Sequence, residues 1–180
     1  ERQLSFAPRL DNVEYRCETV ENSSLPDRCC DLIAASQAAH WFDMEVAAKE
    51  FRRVARPEAV VALWGYTPPR FNPKIDAILD NFHFDVLGPY WDERRKPVDE
   101  RYRNLYFPFK PIPTIEFVYR VAFNYDSFAG YLRTWSAVQN FIKIRGFDPV
   151  VELMERLKPL WKENIQGAYP MFLKMGYVHG

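Results

Sequence analysis

Two unbroken apolar runs, Leu32-Ile33-Ala34-Ala35 and Ala59-Val60-Val61-Ala62-Leu63-Trp64, flank a segment of different periodicity. A strand with one wet face alternates apolar and polar residues, whereas a strand covered on both faces does not. These runs therefore predict parallel strands inside an α/β layer. The segment between them, FDMEVAAKEFRRVARPE, puts Ala47, Phe51 and Val54 on one helical face and its charges on the other, and Pro57 ends the pattern. Strand, helix and strand make a crossover unit. Its right-handed closure places the loop Ser36 to Asp43, SQAAHWFD, at the carboxyl edge of the sheet, where open α/β sheets hold ligands.

On the N-terminal side, Val13, Tyr15 and Cys17 alternate with Glu14 and Arg16 and predict an edge strand, while NSSLPDR, residues 22–28, is turn chemistry. Beyond Tyr66, the positions Ile75, Ile78, Leu79 and Phe82 mark an amphipathic helix, and the proline- and charge-rich stretch from Gly88 to Pro113 reads as a cap or insertion. Phe117, Tyr119, Val121 and Phe123 alternate as a strand. A helix capped by Asp126 then presents Phe128, Tyr131, Leu132, Trp135, Val138 and Ile142 on one face, and Asp148-Pro149 opens another helix. A last strand spans about 168–173. The expected organisation is a core over 1–66, a cap over 67–113 and the remainder of the core over 114–180.

The totals narrow the function. Lys and Arg number 24 and so do Asp and Glu, so no net charge draws the chain to nucleic acid or anionic lipid. No apolar run reaches the ~18–20 residues of a membrane span and no basic-then-apolar leader is seen, which predicts a cytoplasmic protein. Cys17, Cys29 and Cys30 lack zinc-ligand spacing, so neither a metal nor a disulfide framework is expected. No Gly-x-Ser-x-Gly elbow exists, which excludes an α/β hydrolase. Five Trp, ten Tyr and fourteen Phe point to an apolar pocket as well as a core.

NVEYRCETVENSSLPDRCCDLIAASQAAHWFD followed by EFRRVARPEAVVALWGY resembles the second half of a class I S-adenosylmethionine-dependent methyltransferase. The nearest branch resembles the small-molecule carboxyl or O-methyltransferases of the trans-aconitate methyltransferase kind, and GYLRTWSAVQNF, residues 130–141, resembles their Thr-Trp-Ser-Ala segment. The resemblance implies a Rossmann-like α/β sheet of seven strands, of which this chain would supply strands three to seven with a helical cap. The first two strands and their glycine-rich turn would precede Glu1, and the first glycine here is indeed Gly65. The expected chain is then a partial one, with an exposed sheet edge open to self-association. Where the family has a Pro-Gly-Gly turn, this chain has Pro57-Glu58-Ala59, which predicts a changed turn type or strain.

The resemblance also implies S-adenosyl-L-methionine as the methyl donor and a small molecule as acceptor, with Thr19, Val20 and Glu21 at the adenine and Ser36, Gln37 and Ala38 at the methionyl end. Glu21 reads equally well as a solvated or helix-capping carboxylate. Methyl transfer from a sulfonium mainly requires position and desolvation. A carboxylate acceptor needs no base, whereas a hydroxyl acceptor would use His40, whose other reading is a wedge holding the loop on the next helix. Trp41, Tyr66 and Trp135 are the candidate acceptor contacts, although helical spacing alone reads Trp135 as core, and Trp64, Tyr90 and Trp91 are further aromatic candidates. Arg94, Arg95, Arg101 and Arg103 could grip an acidic acceptor, but interleaved with Asp92, Glu93, Asp99 and Glu100 they read as a salt-bridged surface. Two functions compete: methyl transfer, and a catalytically inactive relative that serves as a binding partner.

Overall fold

The computed structural model describes residues 2 and 4–179. Strand β1 (Cys30–Ser36) leads through a short turn to helix α1 (Met44–Val54), which passes without a loop into β2 (Ala55–Tyr66). β1 and β2 pair in parallel, with Leu32 opposite Val60 and Ser36 opposite Trp64. Asp43 opens α1 by accepting hydrogen bonds from the amides of Glu45 and Val46, both at 3.2 Å. The predicted apolar face is buried, with Ala47, Phe51 and Val54 at most 4% exposed.

After β2 come helix α2 (Pro73–Asp80), which continues as a wide π turn over Asn81–Val86, and the short helix α3 (Lys96–Asp99). Next are β3 (Lys110–Ile112), β4 (Phe117–Phe123), helices α4 (Tyr125–Arg133), α5 (Ser136–Arg145) and α6 (Pro149–Leu157), and the long strand β5 (Ile165–Tyr177). β5 runs antiparallel to β2 along one edge. Along its other edge it pairs with β3 at residues 175–177 and with β4 at 165–171, and the Thr114 hydroxyl donates to the Leu173 carbonyl between them. β3 and β4 are thus one strand interrupted at 113–116, where Pro113 has no amide to give.

This sheet separates two cores. Odd positions of β2, such as Val61 and Leu63, and even ones of β5, such as Phe172, pack with α1, Val98, Tyr102 and Phe109. The opposite face, with Tyr169 of β5, packs against α2 and α4 to α6. The result is an α/β fold with a mixed sheet and helices on both faces, as two-sided apolar strands require.

Four local expectations change. Residues 13–17 form no strand, and Val13 and Tyr15 are exposed. β1 is unbroken apolar over residues 32–35, yet Leu32 is 58% exposed, because no strand or helix among the described residues covers that face. Arg56 to Ala59 bulge out of register with β1, and none of them needs a positive φ, so the turn changes type without strain. The predicted single helix after β4 is two. Asn124, not Asp126, caps it through Ser127 N, and it breaks where the Thr134 hydroxyl bonds back to the Tyr131 carbonyl at 2.6 Å and Trp135 turns extended.

The N-terminal segment is tied to α1 by an ionic knot centred on Glu50. Glu50 accepts from the Ser23 amide and hydroxyl and from both ends of the Arg53 guanidinium, which also reaches Asp27. Arg53 first, and then Ser23, hold the Glu50 carboxyl down at about 2. The folded state therefore binds that proton less tightly than the unfolded chain, in which the group titrates near 4.5. The contribution is complete above that value and is lost as pH falls toward 2. Glu50→Gln is expected to lower Tm by about 3–6 °C at pH 7, and the gap to wild type should close across that acid window in thermal melts.

Candidate functional site

The parallel strands β1 and β2 both end at the same edge, and there the chain turns sharply through Gln37, which takes a left-handed φ of 49°. The turn is held from both ends. The Gln37 amide donates to the Trp64 carbonyl at 2.9 Å, and its side-chain Nε2 donates to the Tyr66 carbonyl at 3.0 Å. Oε1 of the same side chain is buried and has no partner among the described residues. Gly65 makes the approach feasible. A Cβ there would lie 2.5 Å from Gln37 Oε1 and 2.5 Å from the Phe172 ring.

Gln37 and Tyr66 form the floor of a cavity of about 280 Å³. Its walls come from elsewhere in the chain: Trp91 and Arg95 from the cap, and Tyr131, Thr134, Trp135 and Ser136 from the break between α4 and α5. Trp135, Trp91 and Tyr131 make a continuous aromatic wall, with ring centroids 5.7 and 5.8 Å from Trp135. Burial raises the pKa of the Tyr131 and Tyr169 phenols, which share a hydrogen bond, so both are neutral donors at physiological pH. Among the described residues, Arg95 carries the only full charge in the lining.

Of the residues expected at a site, Gln37, Tyr66 and Trp135 therefore meet in one cavity, with Ser36 and Ala38 flanking Gln37 in the chain. Trp91 joins them, whereas Trp64 does not, and Tyr90 instead accepts a hydrogen bond from Arg145. Thr19, Val20 and Glu21 form a tight turn closed by Asn22 N to the Thr19 carbonyl, and Glu21 Oε1 accepts from the Asp43 amide at 2.9 Å, the helix-capping alternative for that residue.

His40 lines a separate open groove, and Trp41 faces the cap. Trp41 is covered by the Arg94 guanidinium, 4.6 Å from the ring centroid. His40 Nδ1 lies 3.0 Å from the Tyr102 hydroxyl. Burial raises the pKa of the Tyr102 phenol, so the hydroxyl facing Nδ1 is neutral. Burial, reinforced by the positive charge of Arg95, lowers the His40 pKa to about 4.

The sequence reading missed Tyr131, Thr134 and Ser136 as cavity residues, and it offered Arg95 as a grip for an acidic acceptor only beside the favoured reading of a salt-bridged surface. Arg95 had a usable signal. Trp91, Arg95, Val98 and Tyr102 follow helical spacing, and Val98 and Tyr102 are fully buried, so Arg95 lies on the inward stripe of the cap.

Two measurements check this geometry. Gly65→Ala should displace Gln37 or Phe172 and destabilise the fold by about 1–3 kcal/mol in denaturant unfolding, whereas alanine at the open Gly88 should cost much less. Because His40 is harder to protonate folded than unfolded, where it titrates near 6.5, its stabilising contribution is present above that pH and lost as pH falls toward 4. Imidazole NMR should report a midpoint near 4, and His40→Gln should flatten the stability loss in that window.

Comparison with known proteins places the chain in a family. The methyltransferase domain family matches residues 1–63. A Dictyostelium discoideum protein with a provisional methyltransferase name is 29% identical over 163 residues, which is 89% of this chain and 62% of that protein, so the chain spans less than two thirds of that relative's length. A solved structure from Anaeromyxobacter dehalogenans, provisionally named a type II methyltransferase, is 34% identical with a TM-score of 0.89, covering 99% of this chain and 77% of that one. With a third of its residues shared and one fold along almost its full length, the chain belongs to the class I S-adenosylmethionine-type methyltransferases.

Proposed function

We propose that this chain supports transfer of a methyl group from S-adenosylmethionine to a small, carboxylate-bearing molecule. The observation that carries this reading is the aromatic cavity at the carboxyl ends of β1 and β2, whose lining holds one guanidinium and neutral phenols but no carboxylate and no imidazole. S-adenosylmethionine, when bound, supplies a methyl group on a cationic sulfur. A carboxylate acceptor already carries the lone pair it needs, so a cavity that positions and dries it, without a base, is sufficient.

The residues suit that donor. The unpartnered Gln37 Oε1 is a ready acceptor for an ammonium group, which fits the methionyl end, with Ser36 and Ala38 on either side. Glu21 already accepts from Asp43, so the backbone of Thr19 and Val20 is the better reader of an adenine ring. Tyr66 and Trp135 would flank the acceptor. His40 and Trp41 act by holding the Ser36 to Asp43 loop against the cap, since Nδ1 is engaged by Tyr102 and the imidazole is a weak base.

Calorimetric titration with S-adenosylhomocysteine tests the reading. The expected outcome is binding that Gln37→Ala weakens by about tenfold, the cost of one charge-assisted hydrogen bond. No binding by this chain or by the longest form its gene encodes would overturn it and favour a non-catalytic binding role.

A further inference from the structure

Arg95 sits oddly for a surface arginine. Its side chain is 19% exposed, its guanidinium lies over Trp91 with 4.3 Å to the ring centroid, and its Nε is buried without a hydrogen-bond partner among the described residues. The nearest anion is Asp99, one turn further along the cap, whose Oδ1 is 3.8 Å from the Arg95 terminal nitrogen. That separation orients charge but is too long for a hydrogen bond. Arg94, its neighbour, differs: it is exposed and saturates its fork on Asp92.

The same Asp99 oxygen faces a second group. His83, from the π turn after α2, is 3% exposed, and its Nε2 lies 3.5 Å from Asp99 Oδ1, while Nδ1 has no partner among the described residues. Its ring packs on Trp91 and Trp135 with centroids 5.0 and 5.6 Å away, and its carbonyl accepts from the Trp91 indole nitrogen at 3.1 Å. One polar unit thus stands behind the aromatic wall of the cavity and fixes both the wall and the cation mounted on it.

Resting on the methyl-transfer reading for the identity of the cavity, we infer that Arg95 is its specificity-determining residue, gripping a carboxylate on a compact, flat-bodied acceptor, and that Asp99 and His83 are positioning residues for it. A half-buried guanidinium over an indole, held by no hydrogen bond to Asp99, presents a planar fork, and a carboxylate is the planar anion that fits it in two parallel hydrogen bonds. The aromatic wall formed by Trp91, Trp135 and Tyr131 offers stacking to an unsaturated or apolar body. Asp99 is placed to aim the fork without consuming it. The single long ion pair leaves donors for a ligand, and His83 holds Asp99 from the far side.

The test uses trans-cinnamate, a flat monocarboxylate, and its primary amide as probes, titrated calorimetrically against the chain beside S-adenosylhomocysteine. Wild type is expected to bind cinnamate at least about tenfold more tightly than the amide, the worth of a charge-assisted pair. Arg95→Met should abolish that preference and Arg95→Lys should restore part of it. Asp99→Asn and His83→Phe should each weaken cinnamate by about three- to tenfold, Asp99→Glu should recover some affinity, and S-adenosylhomocysteine binding should stay unchanged in all of them. A merely structural role for Asp99 or His83 would weaken both ligands together, and that result overturns their assignment. Equal binding of acid and amide, binding of neither at millimolar concentration, or full cinnamate affinity in Arg95→Met overturns the assignment of Arg95. Cinnamate binding without S-adenosylhomocysteine binding keeps this inference and defeats the donor reading, and the converse separates them the other way.

Discussion

The parallel ladder between β1 and β2 decides where everything else in the chain can work. Parallel pairing forces the crossover through α1, and the crossover brings the carboxyl ends of both strands, Ser36 and Tyr66, to one edge. Only there do two chain segments leave the sheet side by side with backbone groups unpaired by the ladder. Gln37 takes up two of them, through its amide to Trp64 and its side chain to Tyr66, and Gly65 leaves the space in which it does so. A single methyl group at Gly65 would close the gap between β2, Phe172 of the neighbouring strand and the turn.

The remaining walls depend on interruptions of regular structure. Were α4 and α5 one helix, as their apolar spacing suggests, Trp135 would continue the buried stripe of Phe128 and Leu132. The Thr134 hydroxyl competes for the Tyr131 carbonyl, the helix stops, and Thr134, Trp135 and Ser136 come round to the cavity. In the cap, Arg101 and Tyr102 both adopt left-handed φ values, 54° and 55°, a costly pair for residues with side chains. What holds them there is visible: Tyr102 is fully buried, edge-on to Phe172 at 4.9 Å, with its hydroxyl on His40. The strain secures the cap to the 36–43 loop, and the cap in turn presents Trp91 and Arg95.

The parts of this that were legible in the sequence are those set by periodicity. The crossover, the amphipathic faces of α1 and α2, the helix start at Asp148, and the position of the Ser36 to Asp43 loop all follow from apolar spacing and one-residue signals. Residues 13–17 show the limit. Alternation is necessary for a half-buried strand but does not bring it to a partner: among the described residues β1 ends the sheet with its outer edge unpaired, and residues 13–17 do not join it. Gln37, Tyr66 and Trp135 were placed by family resemblance, and they do converge on one cavity, while His40 and Trp41 lie outside it, because the loop's tight 3₁₀ turn rotates them toward the cap.

Arg95 shows why charge runs mislead. Read by composition, the stretch from Asp92 to Arg103 is an alternation of signs, and for Arg94, Lys96 and Glu100 the solvated reading is right. Read by spacing, Arg95 shares a face with Trp91, Val98 and Tyr102, and a cation on an otherwise apolar stripe must either be neutralised or be there to neutralise something else. Within the cavity nothing neutralises it: the phenols are uncharged, Asp99 stands off at 3.8 Å, and its charge is felt as far as His40, where it adds to the burial that keeps the imidazole neutral. A second cation, such as a sulfonium, could share that space only if an anion came with it. On the proposed reading, an acidic acceptor and a cationic donor would favour each other's presence in this cavity, with the guanidinium supplying the protein's share of that pairing.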